Sequence, residues 1–312
     1  MQSRSKDITV VIPAYNRAAL IGRTLESVAR QSMAPAEVIL VDNGSDDGTL
    51  ELMRRWAEGR QGVRVVSESR RGACAARNAG LRLVSTRYVM FFDSDDEMLP
   101  GHVADFQHAV ERHPEAAVIG RSIVNVSASG RRRRYYFSSR WPVFSHIFRS
   151  TMSTQRFIAL SSLVRDAGGW DESLSGWDDY ELGLRLLLEG GRVRDLGGEP
   201  SVVSYEHGDS ITGFSYASHP ERWEPSLALM RRMVMERGKY TPRQRRRMLR
   251  WISAREAILA AAYSREGARE LAEACLARAK AHGARRRVHA IYTHNRLFGR
   301  LTWPLAAILM YF

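Results

Sequence analysis

The sequence predicts an α/β fold, a mostly parallel sheet flanked by helices, followed by a basic helical C-terminal extension. Three observations lead there. Short β-branched runs alternate with segments of helical periodicity through residues 8–92. An acid cluster, Asp93-Ser94-Asp95-Asp96, follows directly on the apolar run 88–92, where an α/β sheet presents the carboxyl ends of its strands to ligands. The whole charge excess of the 312-residue chain, +13, belongs to residues 221–312, with 20 Lys/Arg against 7 Asp/Glu, while residues 1–220 hold 27 of each.

The elements follow in order. Residues 8–12 form a first strand that ends at Pro13, and 18–32 carry Leu20, Ile21, Leu25, Val28 and Ala29 at helical spacing. A second strand, 37–41, runs into Asp42-Asn43-Gly44-Ser45, and Asp46 or Asp47 caps a helix over about 48–58. A third strand at 63–66, a helix at 72–83 and a fourth strand at 88–92 complete the alternation. A helix at 101–113 stops before Pro114, and 118–126 reads as one strand. Arginines 131–134 with Tyr135, Tyr136 and Phe137 fit a hairpin or a loop. A Gly-rich loop at 168–176 precedes a helix at 178–189, and 201–205 is a last strand. Beyond about 220 the chain turns helical and Arg-rich, at 221–237, 242–263 and 265–282. The division predicted is a catalytic domain over 1–220 and a basic helical region over 221–312.

Composition narrows the class. Cys74 and Cys275 stand far apart and form no metal or redox motif, which fits a reducing compartment. Residues 1–7 are polar and lack the apolar core of a secretory signal. No stretch approaches 18 uncharged apolar residues, so no membrane-spanning helix is expected.

Three acids at a strand end repel one another unless a cation sits among them, so the cluster at 93–96 points to a divalent metal, with a solvated acidic turn as the alternative. Asp42 closes its strand, either to accept from a ribose hydroxyl or base N–H, or to cap the turn. Pro13 ends the first strand and exposes backbone groups and Tyr15, an aromatic that suits a nucleobase. No G-x-G-x-x-G follows that strand, which excludes a Rossmann dinucleotide fingerprint, and there is no P-loop.

Taken together, VVIPAYNR from Val10, VILVDNGSDDGT from Val38, GACAARNAGL from Gly72 and FFDSDD from Phe91 resemble the family 2 glycosyltransferases with the GT-A fold, the nucleotide-diphospho-sugar transferase-like architecture. The likeness continues more loosely through GGWDESL and WDDYELGLR to about 210 and leaves out the last 90 or so residues. It implies that Pro13, Ala14, Tyr15, Asn16 and Asp42 line a nucleoside pocket, and that Arg77 and Asn78 approach the nucleotide. Many relatives carry two Asp where this chain has Asp42-Asn43, and the first acid is kept. Asp93 and Asp95 would be the D-x-D element on Mn2+ or Mg2+, Asp93 and Ser94 also facing the nucleotide, with Asp96 in support and the metal bridging the diphosphate. Asp179 would be the general base of an inverting displacement, preceded by Asp178; these two acids also complement a helix dipole. Trp170 and Trp177 would stack on the acceptor or pack in the core. His207 would be a third metal ligand or a surface histidine.

The expected activity is transfer of a sugar from a nucleotide-sugar donor, a UDP-sugar, to a glycan or lipid-linked acceptor at the cytoplasmic face of a membrane. A nucleotidyltransferase is the rival enzyme, though its Gly-rich basic loop after the first strand is missing here; an inactive membrane- or nucleic-acid-binding module is the rival of another class. Arg285-Arg286-Arg287, Arg296 and Arg300 before an uncharged apolar end suit 285–312 to an anionic membrane surface, or to packing on the body. Nucleic acid is not expected as a partner, because no recognition motif accompanies the charge.

Overall fold

The computed structural model describes residues 7–206, 215–236 and 239–299. The chain divides into two compact units, Met1–Pro142 with Thr151–Gly208 and Val143–Ser150 with Asp209–Phe312.

The first unit opens with β1 (Ile8–Ala14), α1 (Ile21–Ala29), β2 (Glu37–Asp42), α2 (Thr49–Ala57), β3 (Val63–Ser67), α3 (Ala73–Leu83) and β4 (Tyr88–Phe91). β1 pairs in parallel with both β2 and β4, and β2 with β3. Every residue of β1 and β4 is buried, so their apolar runs are continuous rather than alternating. Gly80 lets α3 close on this sheet: a Cβ there would stand 2.3 Å from Val11 Cγ1. α1 turns Ile21, Leu25 and Val28 into the same core, as the spacing predicts.

Next come β5 (Glu97–Met98), α4 (His102–Arg112), β6 (Val118–Gly120), β7 (Ile123–Val126), β8 (Arg132–Tyr135), α5 (Pro142–Arg149), β9 (Phe157–Leu160), α6 (Ser161–Asp166), α7 (Asp178–Leu188), β10 (Val193–Asp195) and β11 (Val202–Tyr205). The larger sheet has the order β10-β6-β9-β4-β1-β2-β3 and the smaller β5-β11-β7-β8. β9 runs antiparallel to both β4 and β6, the antiparallel exception in a mostly parallel sheet.

The single strand expected over 118–126 is two strands in two sheets. The chain leaves the larger sheet after Gly120, where the Phe137 ring occupies the space of a Cβ, and Arg121 pairs with Asp105. Arginines 131–134 belong to a hairpin, since β8 pairs antiparallel with β7. β9, β10, α5 and α6 escape a periodicity reading because each is eight residues or shorter.

The second unit holds α5 from Val143 onward together with α8 (Glu224–Glu236), α9 (Pro242–Arg265), α10 (Arg269–His282) and α11 (Arg285–Phe298). α9 starts with a capping box, Thr241 with Gln244, and Pro242 at its first turn. Phe144, from Val143–Ser150, meets the Trp251 ring edge-on at 5.1 Å. α11 lies within the predicted membrane tail and buries Val288, Ile291 and Asn295 within its own unit. His207 and residues 300–312 lie outside the described residues. No described helix is long and apolar enough to cross a membrane. Cys74 and Cys275 are buried and unbridged.

Candidate active site

The carboxyl ends of β1, β2 and β4 meet at one edge of the larger sheet, and the loops that leave them build the site. At the end of β1, Pro13 and Ala14 are buried, while Tyr15 just beyond is 45% exposed, with the Arg71 guanidinium 4.4 Å above its ring. Asn16 is left-handed at φ 51°. Its amide accepts from Asp46 N at 3.0 Å and donates to the Asp46 carboxylate at 2.9 Å, joining the β1 and β2 loops. Asp42 is 2% exposed and accepts from Gly44 N at 3.0 Å and Ser45 N at 3.3 Å, the capping role of the two read from sequence. Asn43, which sequence reasoning passed over, donates to the Glu68 and Arg70 carbonyls at 2.9 and 2.8 Å and accepts from Gly72 N at 2.8 Å. It thereby clasps the loop that carries Arg71.

The acid cluster hangs on β4. Asp93 accepts from Arg77 at 2.9 Å and from the Gln155 amide at 2.6 Å. The same Gln155 nitrogen also donates to Asp96, so one neutral amide holds two carboxylates together. Asp96 is 1% exposed, accepts from Tyr205 N at 3.1 Å, and its carbonyl accepts from Thr24 Oγ1 at 2.8 Å. Burial raises the pKa of Asp93, and burial with the charges of Asp95 and Asp93 raises that of Asp96 well above the carboxylate range. Ser94 is buried, and Asp95 is more open, with Arg17 Nε 3.7 Å from its carboxylate. Gln155 was missed for want of any motif: it sits in a 3₁₀ turn, Thr154–Arg156, about 60 residues from the acids it serves.

Arg77 is the hinge of the constellation. It is 7% exposed and donates to Asp93 and, at 2.6 Å, to Asp178 at the start of α7. Thus the residue expected to approach a nucleotide ties the two acidic motifs together. Its guanidinium lies 4.4 Å above the Trp170 ring, which meets Phe91 edge-on at 5.1 Å. Trp170 is only 2% exposed and packs in the core under Arg77, the second of the two places read from sequence. Asn78 likewise serves the protein, donating to Trp170 O and Glu172 at 2.9 Å each and accepting from Trp170 N at 2.8 Å. Arg185 of α7 donates to the Ala167 and Gly169 carbonyls at 2.7 Å, pinning the Gly-rich loop from its other side.

Asp179 follows in the first turn of α7 and accepts from Thr154 N at 3.3 Å. Burial first, then the Asp178 charge, pushes its pKa up to about 7, while Arg77 pulls the other way. Trp177 is half-buried, left-handed at φ 50°, and edge-on to Tyr180 at 5.5 Å.

Among the described residues no three His, Cys, Asp or Glu side chains are grouped to enclose a metal. Asp93 and Asp95, with side chains 30% and 20% exposed, are the open carboxylates of the cluster. One or two carboxylates completed by substrate phosphates is how Mg2+ and Mn2+ are commonly held, so the residues present fit such an ion.

The chain matches the model of Glycosyl transferase family 2 over residues 9–166, half of its length, and belongs to that family. It is 31% identical over 219 residues to validoxylamine A glucosyltransferase of Streptomyces hygroscopicus subsp. limoneus, covering 59% of this chain and 48% of that protein. It is 28% identical over 181 residues to chondroitin synthase of Escherichia coli, covering 57% and 26%. The chain thus spans less than half the length of either relative. Among solved structures, Staphylococcus aureus TarS 1-349 in complex with UDP-GlcNAc superposes with a TM-score of 0.71 at 18% identity, over 96% of this chain and 92% of that one. Mannosyltransferase PcManGT from Pyrobaculum calidifontis, in complex with GDP-Man and Mn2+, has a TM-score of 0.58 at 25% identity, over 99% and 86%. The fold is the GT-A architecture of these proteins.

Proposed function

We propose that the chain is an inverting glycosyltransferase that moves a sugar from a nucleotide-sugar donor, a UDP-sugar, to a glycan or lipid-linked acceptor in the making of cell-surface polysaccharide or glycoconjugate. The observation that carries this is Asp179. It is a half-buried carboxylate with a pKa near 7, set beside the Arg77–Asp178 pair that leads to the acid cluster. Family membership and the nucleotide sugars bound by TarS and PcManGT support the donor class.

Tyr15, after β1, and Arg71, after β3, would receive the nucleoside, stacking on the base while Asn43 holds the Arg71 loop in place. Asp93 and Asp95 would hold Mn2+ or Mg2+, which when bound neutralises charge on the departing nucleoside diphosphate. Asp179 takes the proton from the acceptor hydroxyl as that oxygen bonds to the anomeric carbon and the bond to the diphosphate breaks on the opposite face. Trp177, just before α7, would stack on the acceptor sugar. Arg77 keeps the two acidic motifs in register.

Asp179→Asn should lower transfer by about 10²–10⁴-fold with donor affinity retained, as loss of a general base predicts. Asp95→Asn should weaken donor binding and its dependence on Mn2+. Full transfer in both variants, measured as nucleoside diphosphate release with Mn2+ and acceptor, would sink the assignment.

A further inference from the structure

The second unit carries a feature the catalytic reading does not use. α9 begins with Arg243, Arg245, Arg246, Arg247 and Arg250, and α11 with Arg285, Arg286 and Arg287, and neither helix has an acid in its first turn. A helix N-terminus already carries about half a positive charge, and proteins ordinarily place Asp or Glu there. These two ends lie on the same side of the unit. Gly283, just before α11, packs so closely on α9 that a Cβ would stand 2.8 Å from Ser253 Cβ, and Arg265 near the end of α9 donates to Asn295 O near the end of α11. α9 and α11 therefore run parallel, with about 16 Å of α9 reaching beyond Ser253 toward Pro242. The C-terminal end of α10, with Lys280 and His282, turns back to the same place.

Arg243, Arg246, Arg247, Arg250, Arg285 and Arg286 are all exposed. None pairs with a carboxylate among the described residues, because the acids of the unit are spent elsewhere. Glu256 pairs with Arg231 and Glu224 with Arg278. Glu266 accepts from Ser215 and from the 216 and 217 amides, and Glu270 and Glu273 lie at the opposite end of α10. Among the described residues, Glu236, the last residue of α8, is the carboxylate that leads toward this end. Like charges stacked on two positive dipole ends destabilise the free protein, and an anionic partner removes that cost.

We infer that this face, built mainly from α9 rather than from the chain end, docks on an anionic lipid surface. A bilayer offers phosphates spread over a plane, which matches arginines spread over two helix ends. A duplex nucleic acid instead concentrates its phosphates along a rod, at about one per 1.7 Å of axis. The inference stands apart from the catalytic reading, because vesicle binding requires no turnover.

The test is co-sedimentation of the full chain with phosphatidylglycerol-containing and pure phosphatidylcholine vesicles. Wild type should bind the former alone. Arg243→Glu with Arg246→Glu and Arg247→Glu should weaken that binding by at least about a hundredfold, at about fivefold per arginine. The same variant should keep or raise the melting temperature, since Glu replaces Arg at a helix start. The matching change at Arg131, Arg132 and Arg133 of the first unit alters net charge equally and should leave binding within a few-fold. Undiminished binding by the α9 variant, or an equal loss in the control, overturns the inference. So does a DNA duplex that strips wild type from vesicles at equal phosphate concentration.

Discussion

Asp179 and Gln155 show how single residues set the chemistry. Burial and the neighbouring Asp178 hold Asp179 neutral to about pH 7, so the base proposed there would become available only as pH rises through that value. The pH profile of kcat/KM should show an acid limb near 7, displaced downward when Mn2+ adds positive charge; a limb below about 5 without metal would contradict the burial argument. The same shift has a stability sign. The folded pKa lies above the unfolded one, so this group's contribution is full below the unfolded value and is lost as pH rises through about 7. Asp179→Asn should therefore gain on wild type in melting temperature between pH 5 and 8. Gln155 shields Asp93 from Asp96 with one amide. Gln155→Ala should lower stability by about 1–3 kcal/mol, and Mn2+ should restore more of it than in wild type. Equal Mn2+ effects in the two proteins would show that Gln155 does not manage this repulsion.

At the scale of elements, α3 and the loop before α7 decide whether those residues meet. α3 reaches β1 only because Gly80 has no side chain, and that contact aims Arg77 at Asp93 and Asp178. Gly80→Ala should cost about 1–3 kcal/mol by overpacking, and activity should fall with stability as Arg77 moves. Gly169 at φ +69° leaves room for Asn78, whose Oδ1 would be 2.6 Å from a Cβ there. In the second unit, Thr241→Ala removes a capping box and should lower the melting temperature through a loss of about 1 kcal/mol. Much of this scale is legible in the residues. The strands and helices through β4 fall within a few positions of where periodicity and turn residues put them, because each is long or strongly patterned. β9 is four apolar residues with no period of its own, and its antiparallel place between β4 and β6 is a tertiary choice.

At the scale of the whole molecule, charge is segregated: residues 1–220 are neutral and 221–312 carry the excess of +13. Clustered arginines repel in the free protein, and salt screens them over about 8–10 Å. Raising NaCl from about 0.02 to 0.5 M should therefore increase the melting temperature by a few degrees, an increase smaller in the α9 glutamate variant. A fall with salt would mean that attractive surface pairs outweigh the arginine repulsion.

The sequence by itself determined the family, the order of the first four strands and the positions of the acids, since each depends on residues close together in the chain. It also placed Asp42 at a turn and Asp179 at a helix start, for the same reason. Only the tertiary structure decided that Trp170 is core rather than platform, that Arg77 joins two motifs about 85 residues apart, and that Gln155 belongs to the site at all. Those are matters of burial and of hydrogen bonds between distant segments, and no local pattern encodes which donor a buried carboxylate will find.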